Sequence, residues 1–491
     1  MRDHRHLSRV GSGVGGSKQT VHQPQRAAEP KRGWRMRTTV LAVCLLLRWY
    51  GMGAAQGPSL SLSHPVAPDG EALLTAAPDQ DPAPVLLRPL IDSWGRLRAQ
   101  LSDHGLQPAL IYDGAGFADL AGGVRRGATS LGTADFQLTM DLSRLLGWPG
   151  ATLFLDGLNT HGGHPSRFAG DAQGVSSLEA PGRWTLEEGW IEQNLFGNQL
   201  SMLGGRYDLN SEFYRLQSAS LFLNSSFGIG PEFAQSGQGG PSIFPNTSVG
   251  ARIAFKPAPP VVLRTAILDG VPVNRPSGTA IFARGDGVLL VGEVAYLMRP
   301  SPMQQPPRSP RFRIGRLAGL PPYTGKIALG GWHYTATFAD LSHTTPTGQP
   351  VQHRGSSGLY VLADQTVYVD RQHPARRLTL FSQLGLGDAR VNRFGGYTGA
   401  GMVLSSPLVA RASDELGVAV AVAYNSAHFV AQQRARGTRV EGAEVALEGT
   451  YLMPLTPWLA LQPAVQYVLH PNTDPTIRNA LVAFLRFELS F

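Results

Sequence analysis

Apolar and polar residues alternate with a period of two in many short segments of this chain. At the C-terminal end, Leu485, Phe487 and Leu489 alternate with Arg486 and Glu488. Side chains alternate across a β-strand, so this segment predicts a strand with one apolar and one polar face. Fifteen further segments show the same alternation with varying clarity: 108–116, 131–142, 150–157, 184–195, 199–208, 248–256, 260–268, 288–298, 324–336, 358–369, 377–387, 394–404, 415–425, 443–452 and 458–469.

The number of alternating segments distinguishes between two kinds of β protein. Each segment is long enough to cross a bilayer as a tilted strand. Strands of a soluble sandwich also have one apolar face, but sixteen of them without covering helices would need a very large shared core. A closed barrel instead faces lipid outside and water inside, and it has no unpaired edge. We therefore predict an all-β fold, a 16-stranded antiparallel transmembrane β-barrel wide enough for an aqueous channel.

Connections between the segments tend to alternate in length. Short connections are predicted at 196–198, 257–260 and 453–457, and long ones at 158–183, 209–247, 337–357 and 425–442. Short turns at one end and long loops at the other are typical of outer-membrane barrels, and an even strand number places both termini on the periplasmic side. Residues 299–323, rich in proline and arginine, are long where a short turn is due.

Two further patterns fit a membrane barrel. A short amphipathic helix is predicted before the first strand, with Ile91, Trp94, Leu97 and Leu101 on one side and its end near Gly105. Aromatic residues near the ends of several segments are typical of an interfacial girdle. These aromatic residues are Tyr424, Tyr451, Trp458, Tyr467 and Phe491.

The N-terminal region differs in composition from the rest of the chain. Within residues 1–55, basic residues outnumber acidic ones by eight, which equals the whole formal net charge of +8. A basic stretch, an apolar run from Val40 to Leu47 and the small residues near Ala55 predict a signal peptide at 36–55. Residues 1–35 are then an upstream extension, 56–89 a disordered leader rich in proline and alanine, and 90–491 the barrel domain.

Charge and cysteine content exclude several function classes. Basic and acidic residues are equal in number after residue 55, so the high overall pI does not support nucleic-acid binding. Cys44 is the only cysteine and lies in the predicted signal peptide. Its removal excludes disulfides, thiolate metal sites and thiol catalysis. A lipid anchor at Cys44 is disfavoured because Val43 precedes it, where a small residue is needed.

Longer sequence blocks carry a family resemblance. In order they are GGVRRGATSLG (122–132), GWPGATLFLDGLNTHGG (147–163), WIEQNLFGNQLSMLGGRYDLNSEF (190–213), LFLNSSFG (221–228), TPWLALQPAVQYVLHP (456–471) and LRFELSF (485–491). These blocks resemble the carbohydrate-selective outer-membrane porins of the OprB type over roughly residues 90–491. The resemblance implies passive diffusion of sugars across the Gram-negative outer membrane. Residues 299–323 and the N-terminal extension depart from the family.

The resemblance also implies partners. Glucose-like monosaccharides are the expected solutes, and outer-membrane lipid and lipopolysaccharide are the expected surroundings. Phe491 stands where such proteins carry a signal for the barrel-assembly machinery. A monomer and a homotrimer both remain open, and no nucleic acid or cofactor is expected.

Sugar passage requires aromatic surface for the C–H faces of the rings and charged groups that exchange hydrogen bonds with hydroxyls. Strand parity places Arg252 and Arg264 on the inner face, and we expect the connection 209–247 to fold inward with a short helix. The predicted constriction consists of Trp190 as an aromatic wall with Glu192, Arg206, Asp208, Asn210, Glu212, Arg252 and Arg264. Arg215 lies at the root of the same connection. Alternatively, these residues are ordinary solvated lumen or girdle residues.

Other chemistry finds little support in the sequence. His161 and His164 lie in a glycine-rich connection with Asp171 nearby, but their spacing suits no strand or helical ligand pair, so no metal site is predicted. No positioned nucleophile, base and orienting group indicates an enzyme.

Two alternative functions remain open. One is a general diffusion porin without sugar preference, and the other is a secreted carbohydrate-binding β protein without a pore. Aromatic stacking and hydrogen bonding of this kind suit glucose and its relatives almost equally.

Overall fold

Sixteen antiparallel strands form one closed barrel in the computed structural model, which describes residues 88–272, 282–283, 285–298 and 323–491. The strands are β1 (Leu106–Gly123), β2 (Gly127–Asp141), β3 (Ala151–Gly162), β4 (Arg183–Leu195), β5 (Leu200–Tyr207), β6 (Ser248–Ala258), β7 (Val261–Asp269), β8 (Val288–Met298), β9 (Gly325–Thr344), β10 (Pro350–Val369), β11 (Arg377–Gly387), β12 (Phe394–Ser405), β13 (Glu415–Asn425), β14 (Ala443–Thr456), β15 (Leu459–Leu469) and β16 (Arg478–Ser490). The described helices are α1 (Arg88–Asp103), α2 (Leu142–Leu146), α3 (Ser166–Ala169), α4 (Pro231–Ala234) and α5 (Ala427–Ala435). All sixteen predicted segments are strands, so the predicted fold class is confirmed.

Pairing of β1 with β16 closes the barrel. Gly114 lies opposite Phe487, and Phe117 lies opposite Phe484. At the end of this seam, the backbones of Leu110 and Phe491 exchange two hydrogen bonds of 2.9 and 3.1 Å. The first strand therefore begins, and the last strand ends, at the same end of the barrel. We call this the terminal end and the other the loop end.

Helix α1 precedes the barrel at the terminal end, as the apolar spacing predicts. It ends at Asp103, and Gly105 takes a positive φ of 84° before β1 begins. The helix begins at Arg88, so its first two residues belong to the predicted leader 56–89. The predicted extension, signal peptide and most of that leader lie outside the described residues. Among the described helices, none has both the length and the apolar composition needed to span a membrane.

The outer surface of the barrel carries the apolar side chains of the alternating segments. In β16, Leu485 is exposed while its neighbour Phe484 is buried inside. Elsewhere the same parity exposes large apolar side chains of most strands, including Leu155, Met202, Ile253, Ile267, Val294, Leu329, Val361, Leu380, Met402, Val418, Leu447 and Val465. Exposure of so many apolar side chains is expected only where the surrounding solvent is hydrocarbon.

Residues 208–247, between β5 and β6, fold into the barrel interior; we call them the inserted segment. The short helix predicted at its start is absent there. Single turns at Leu209–Ser211, Ala219–Leu221 and Ser225–Phe227 replace it, followed by the four-residue helix α4. Asp208 and Asn224 accept hydrogen bonds from the backbone two residues later, which starts two of these turns. The apolar spacing of the segment therefore serves interior packing.

Aromatic side chains of the inserted segment pack against β9 and β10. The ring of Phe233 stacks on Trp332 with 4.1 Å between centroids, and Tyr214 lies 4.5 Å from Tyr360. Trp332 lies across from Gly358, where an added Cβ would come within 2.0 Å of the indole. Because Gly358 has no side chain, the indole of Trp332 can lie flat against the wall and stack with Phe233 of the inserted segment.

Strands β9 and β10 extend further than predicted. Residues 337–357 were expected to form a long loop, but both strands continue through most of this range and the hairpin closes within five residues. Thr345 N donates to Gln349 O at 2.7 Å, and Gly348 takes a positive φ of 79°. Phe338 continues the inward parity and packs 6.1 Å from Tyr334. The predicted loop is wrong because backbone pairing continues beyond the apolar alternation on which the prediction relied.

Replacement of Gly358 by Ala tests the packing of the inserted segment. The added methyl group overlaps the Trp332 indole and must displace it from Phe233, which we expect to cost about 1–3 kcal/mol. Gly449→Ala in β14 is the matched control, because no atom lies within 4 Å of its added Cβ. The measurement is the midpoint temperature of the heat-induced change in electrophoretic mobility. We expect a lower midpoint for Gly358→Ala alone; equal midpoints would contradict this packing.

Candidate functional site

The inserted segment occupies one side of the barrel interior and leaves a cavity on the other. This cavity has a volume of about 270 Å³ and lies between the inserted segment and a wall of β1, β2, β15 and β16. Polar residues of the wall that line it are Asp113, Asp135, Gln137, Gln462, Arg486 and Glu488. Residues of the inserted segment on the other side include Asp208, Asn210, Arg215, Phe222, Ile229 and Phe244. The cavity therefore has charged and apolar linings facing one another.

Arginine and aspartate side chains form a pair on the wall side of the cavity. Arg486 of β16 donates from Nε and Nη2 to Asp113 Oδ1 of β1, at 3.0 and 2.7 Å. Closure of the barrel brings these two residues together, since they are 373 positions apart in the chain. Glu488 follows on the same face of β16. This side consequently presents donors and acceptors next to each other.

Polar groups of the inserted segment face this wall. Asn210 N donates to Asp208 Oδ1 at 2.8 Å, and the Asn210 side chain donates to the backbone oxygens of Phe213 and Gly228. Arg215 Nη1 donates to Asn210 O at 3.3 Å. These bonds fix the first turn of the segment, so that charged groups of both signs stand opposite the Arg486–Asp113 pair.

Amide and apolar side chains complete the lining. Gln462 Nε2 donates to Leu221 O at 2.6 Å, joining β15 to the inserted segment, and Gln137 Nε2 donates to Asp156 Oδ2 at 3.0 Å. Phe222 and Phe244 are aromatic members of the lining. Neutral solutes with many hydroxyls and some C–H surface match such a mixture of hydrogen-bonding groups and rings.

Comparisons with known proteins identify the family of the chain. The family described as "Carbohydrate-selective porin, OprB family" matches residues 125–491. This chain is an OprB-family porin.

Individual relatives agree with this assignment. Porin B of Pseudomonas aeruginosa is 25% identical over 438 residues, which cover 82% of this chain and 91% of that protein. Pseudomonas putida OprB has two similar solved structures. The high-pH structure has a TM-score of 0.69 at 22% identity, and the low-pH structure has a TM-score of 0.51 at 20% identity. Each covers 81% of this chain and 97% of the solved chain, and both support the barrel fold.

The porin also contains an ion-pair ladder behind the inserted segment, which we define as Glu192, Arg252, Glu212, Arg264, Glu293 and Lys326. Arg252 of β6 lies between two carboxylates, with Nη2 at 2.9 Å from Glu192 Oε1 and Nε at 2.7 Å from Glu212 Oε2. Tyr207 also donates to Glu212 Oε2 at 2.6 Å. Since Glu212 belongs to the inserted segment, these contacts attach the segment to the wall.

The ladder continues along the wall through β7, β8 and β9. Arg264 Nη1 lies 3.6 Å from Glu293 Oε1, and Lys326 Nζ lies 3.2 Å from the same oxygen. Glu293 Oε2 accepts from Tyr214 N at 3.0 Å, and Lys326 donates to Arg215 O at 2.8 Å. The side chains of Glu293 and Lys326 are fully buried. Buried charges of this kind require partners, and here the inserted segment supplies several of them.

The predicted constriction residues of the porin therefore fall into three groups. Asp208 and Asn210 line the cavity. Glu192, Glu212, Arg252 and Arg264 meet in the ion-pair ladder. The remaining two lie outside both sets. Arg206 Nε donates to Thr247 Oγ1 at 2.8 Å, and Trp190 stacks on Phe154 at 5.0 Å while its indole N–H donates to Glu188.

Several residues that line the cavity are not among the predicted constriction residues. The alternation places Arg486 and Glu488 on the polar face of the last strand, but it does not distinguish them from other polar residues. Asp113 lies in one of the less clearly alternating segments, and its pairing with Arg486 depends on closure between the first and last strands. In a closed barrel the first and last strands are neighbours, and this rule could have indicated that Asp113 and Arg486 lie close together.

The histidines of the HGGH motif have separate partners. His161 Nε2 lies 3.1 Å from the Tyr112 hydroxyl, whereas His164 Nδ1 lies 3.4 Å from Glu179 Oε1. Within the described parts of the chain, these two histidines do not belong to a cluster of three metal-ligating side chains.

Glu232 is a buried carboxyl group on the inserted segment, outside the sixteen spanning strands. Its Oε1 accepts from the Tyr214 hydroxyl at 2.9 Å, while its Oε2 has no hydrogen-bond partner among the described residues. Burial raises the pKa of Glu232 to about 7, and the Tyr214 hydrogen bond offsets only part of this effect. The Glu232 carboxyl group thus binds its proton more tightly in the folded porin than in the unfolded chain.

Replacement of Arg252 by Ala tests whether the ladder attaches the inserted segment. The change leaves two largely buried carboxylates without their shared cation, so we expect a loss of about 3–5 kcal/mol in the free energy of unfolding. Arg144→Ala is the control, because Arg144 forms an exposed pair with Asp141 at 3.5 Å, for which the expected loss is about 0.5 kcal/mol. Denaturant unfolding in lipid vesicles measures both. Similar losses in the two variants would contradict the structural role of the ladder.

Replacement of Glu232 by Gln tests the buried carboxyl group. The folded protein binds a proton at Glu232 more tightly than the unfolded chain does, because the pKa of this carboxyl is raised to about 7 on folding. The free energy of unfolding therefore falls as the pH rises from the ordinary glutamate range through about 7 and the buried carboxyl ionises. The amide removes this loss. We expect the variant's gain in midpoint unfolding temperature over wild type to be larger at pH 9 than at pH 5. A gain that is independent of pH would be inconsistent with the raised pKa.

Proposed function

We propose that this porin lets monosaccharides such as glucose diffuse passively across the outer membrane, through the passage beside the inserted segment. The observation that supports this most is the composition of the cavity. Carboxylates, guanidinium groups and amides lie within reach of one another, with Phe222 and Phe244 beside them. Membership of a family described as carbohydrate-selective agrees with such a lining.

Passage requires weak binding. A sugar hydroxyl can both donate to a carboxylate, such as Asp113, and accept from a guanidinium, such as Arg486, in exchange for hydrogen bonds with water. Because each exchange is close to balanced, the sugar is retained briefly and then released. Diffusion through the passage involves no catalytic step and no cofactor.

Further proposals concern the surroundings of the porin. We propose that the apolar outer surface contacts outer-membrane lipid and lipopolysaccharide. Phe491, paired with Leu110 at the terminal end, is the proposed signal for the barrel-assembly machinery. Residues 36–55 are proposed to be a signal peptide that is cleaved on export. A monomer and a homotrimer are both compatible with these proposals.

A general diffusion porin is the second candidate. The cavity carries charges of both signs, and such a lining also allows small ions to pass. The two candidates differ in what a neutral sugar does to the ion current. A sugar that occupies the cavity lowers the current, whereas a passage without sugar affinity responds only to the viscosity of the solution.

Single-channel recording in a planar bilayer tests the proposal. With glucose titrated into the bath, we expect stable openings whose current falls with a saturable dependence on sugar concentration. In Arg486→Gln, which removes the cation of the wall pair, we expect an apparent sugar affinity lower by about tenfold, as for loss of one charge-assisted hydrogen bond. Selectivity should also shift towards cations.

Arg371→Gln is the matched control for this experiment. Arg371 is exposed in the turn between β10 and β11 at the terminal end, away from the cavity. We expect wild-type sugar response and selectivity from it. If glucose lowers the single-channel current only as much as the viscosity of the solution predicts, the protein is a general diffusion porin. An absence of openings from folded protein would overturn both candidates.

A further inference from the structure

Three histidines converge on one aspartate at the loop end of the barrel. Asp340 and His343 lie in the extended part of β9, His353 lies in the facing part of β10, and His428 lies in helix α5 after β13. These residues come from three segments, and His428 is 88 positions from Asp340. They lie outside the set of residues that line the cavity. We call Asp340, His343, His353 and His428 the histidine cluster.

The spacing of the ligand atoms fits a small metal ion. His343 Nδ1 and His428 Nδ1 each lie 3.3 Å from Asp340 Oδ1. Zinc binds imidazole nitrogen and carboxylate oxygen at roughly 2.0–2.2 Å, which separates neighbouring ligands of a tetrahedron by roughly 3.3 Å. The three side chains can each direct one ligand atom to a common point, since these atoms all lie within 4.8 Å of one another.

The carboxylate at the centre of the cluster is held firmly. Asp340 is almost fully buried, and its Oδ1 accepts from the backbone N–H groups of Ser342 and His343 at 2.8 Å each. His353 Nε2 lies 2.8 Å from Oδ2. Hydrogen bonds of this kind to a ligating carboxylate orient it and strengthen metal binding.

The histidine ligands are also placed by the fold. Ser426 Oγ accepts from Phe429 N at 3.1 Å and so caps the start of α5 next to His428. His428 Nδ1 lies 2.9 Å from Ser342 Oγ, a contact that a metal ion would replace. His343 is exposed, and its ring lies 5.0 Å from that of His428. Formation of the site requires rotation of the two imidazole rings, which the exposed position of His343 permits for that ring.

One basic residue next to the cluster is paired with an acidic residue. Arg390 is one nearby basic residue, since its backbone oxygen accepts from Leu341 N at 2.9 Å. Its guanidinium group, however, is held by Asp388, with Nε and Nη2 donating to the two carboxylate oxygens at 2.9 and 2.7 Å. The positive charge of Arg390 is thereby balanced.

We propose that the histidine cluster binds one divalent transition-metal ion of the zinc class, with Asp340, His343 and His428 as ligands. His353 orients the Asp340 carboxylate, and a water molecule completes the coordination. Imidazole ligands favour zinc, nickel and copper over magnesium and calcium. The bound ion links the β9–β10 hairpin to the β13–β14 connection at the loop end, and it stabilises that end of the barrel.

Calorimetric titration of Zn²⁺ into the purified barrel, prepared without a histidine tag, tests the proposal. We expect one ion per chain with micromolar or tighter affinity, and no comparable binding of Mg²⁺. His343→Ala and His428→Ala should each weaken Zn²⁺ binding at least tenfold. His343 is exposed, so its variant is expected to fold even where loss of His428 disturbs α5.

His373→Ala is the matched control. His373 also follows an aspartate by three positions in an exposed turn, with 3.9 Å between its Nδ1 and Asp370 Oδ1, and should keep full Zn²⁺ affinity. Titration with Co²⁺ adds a spectroscopic readout, since the visible absorption should indicate a tetrahedral site that is lost in His343→Ala. An absence of Zn²⁺ binding, or equal binding by His343→Ala and His373→Ala, would overturn the proposal and leave a hydrogen-bonded cluster only.

Discussion

Glu212 lies between two arginines of the barrel wall, and the position of the inserted segment depends on this contact. The carboxylate is 2.7 Å from Arg252 and 4.0 Å from Arg264, with the Tyr207 hydroxyl as an additional donor. Without Glu212, two nearly buried guanidinium groups would lose a counter-charge. The carboxylate of the segment and the guanidinium groups of the wall therefore neutralise one another. This pairing attaches the segment along one side of the interior.

Attachment to one side determines where solutes can pass. Aromatic packing of Phe233 on Trp332 and of Tyr214 on Tyr360 fills the interior next to β9 and β10. The remaining space lies against β1, β2, β15 and β16, where Asp113 and Arg486 form their pair. A barrel of this strand number is wide enough to hold water throughout its interior. The inserted segment fills one side and so reduces the passage to the scale of a small solute.

The two charged systems have different surroundings and hence different roles. Pairs in the ladder are removed from water, so they specify how the segment sits and are costly to break. The Arg486–Asp113 pair borders the cavity, where its groups can exchange hydrogen bonds with a passing solute. At the loop end, the histidine cluster joins segments that contribute nothing to the cavity lining, so a metal ion there would act on the rigidity of the outer loops.

Sequence by itself determined the architecture, because alternation with period two is a local property. In each strand, the apolar face identifies the side that contacts lipid. Strand number, the position of both termini and the inner orientation of Arg252 followed from this pattern. It did not determine whether an inward side chain meets water. Arg252 and Asn210 are both polar residues that the sequence places in the predicted constriction, yet one is buried in the ladder and the other borders the cavity. Only the tertiary structure decided this, since contacts between segments far apart in the chain place the inserted segment, and its position covers some inward residues and leaves others open.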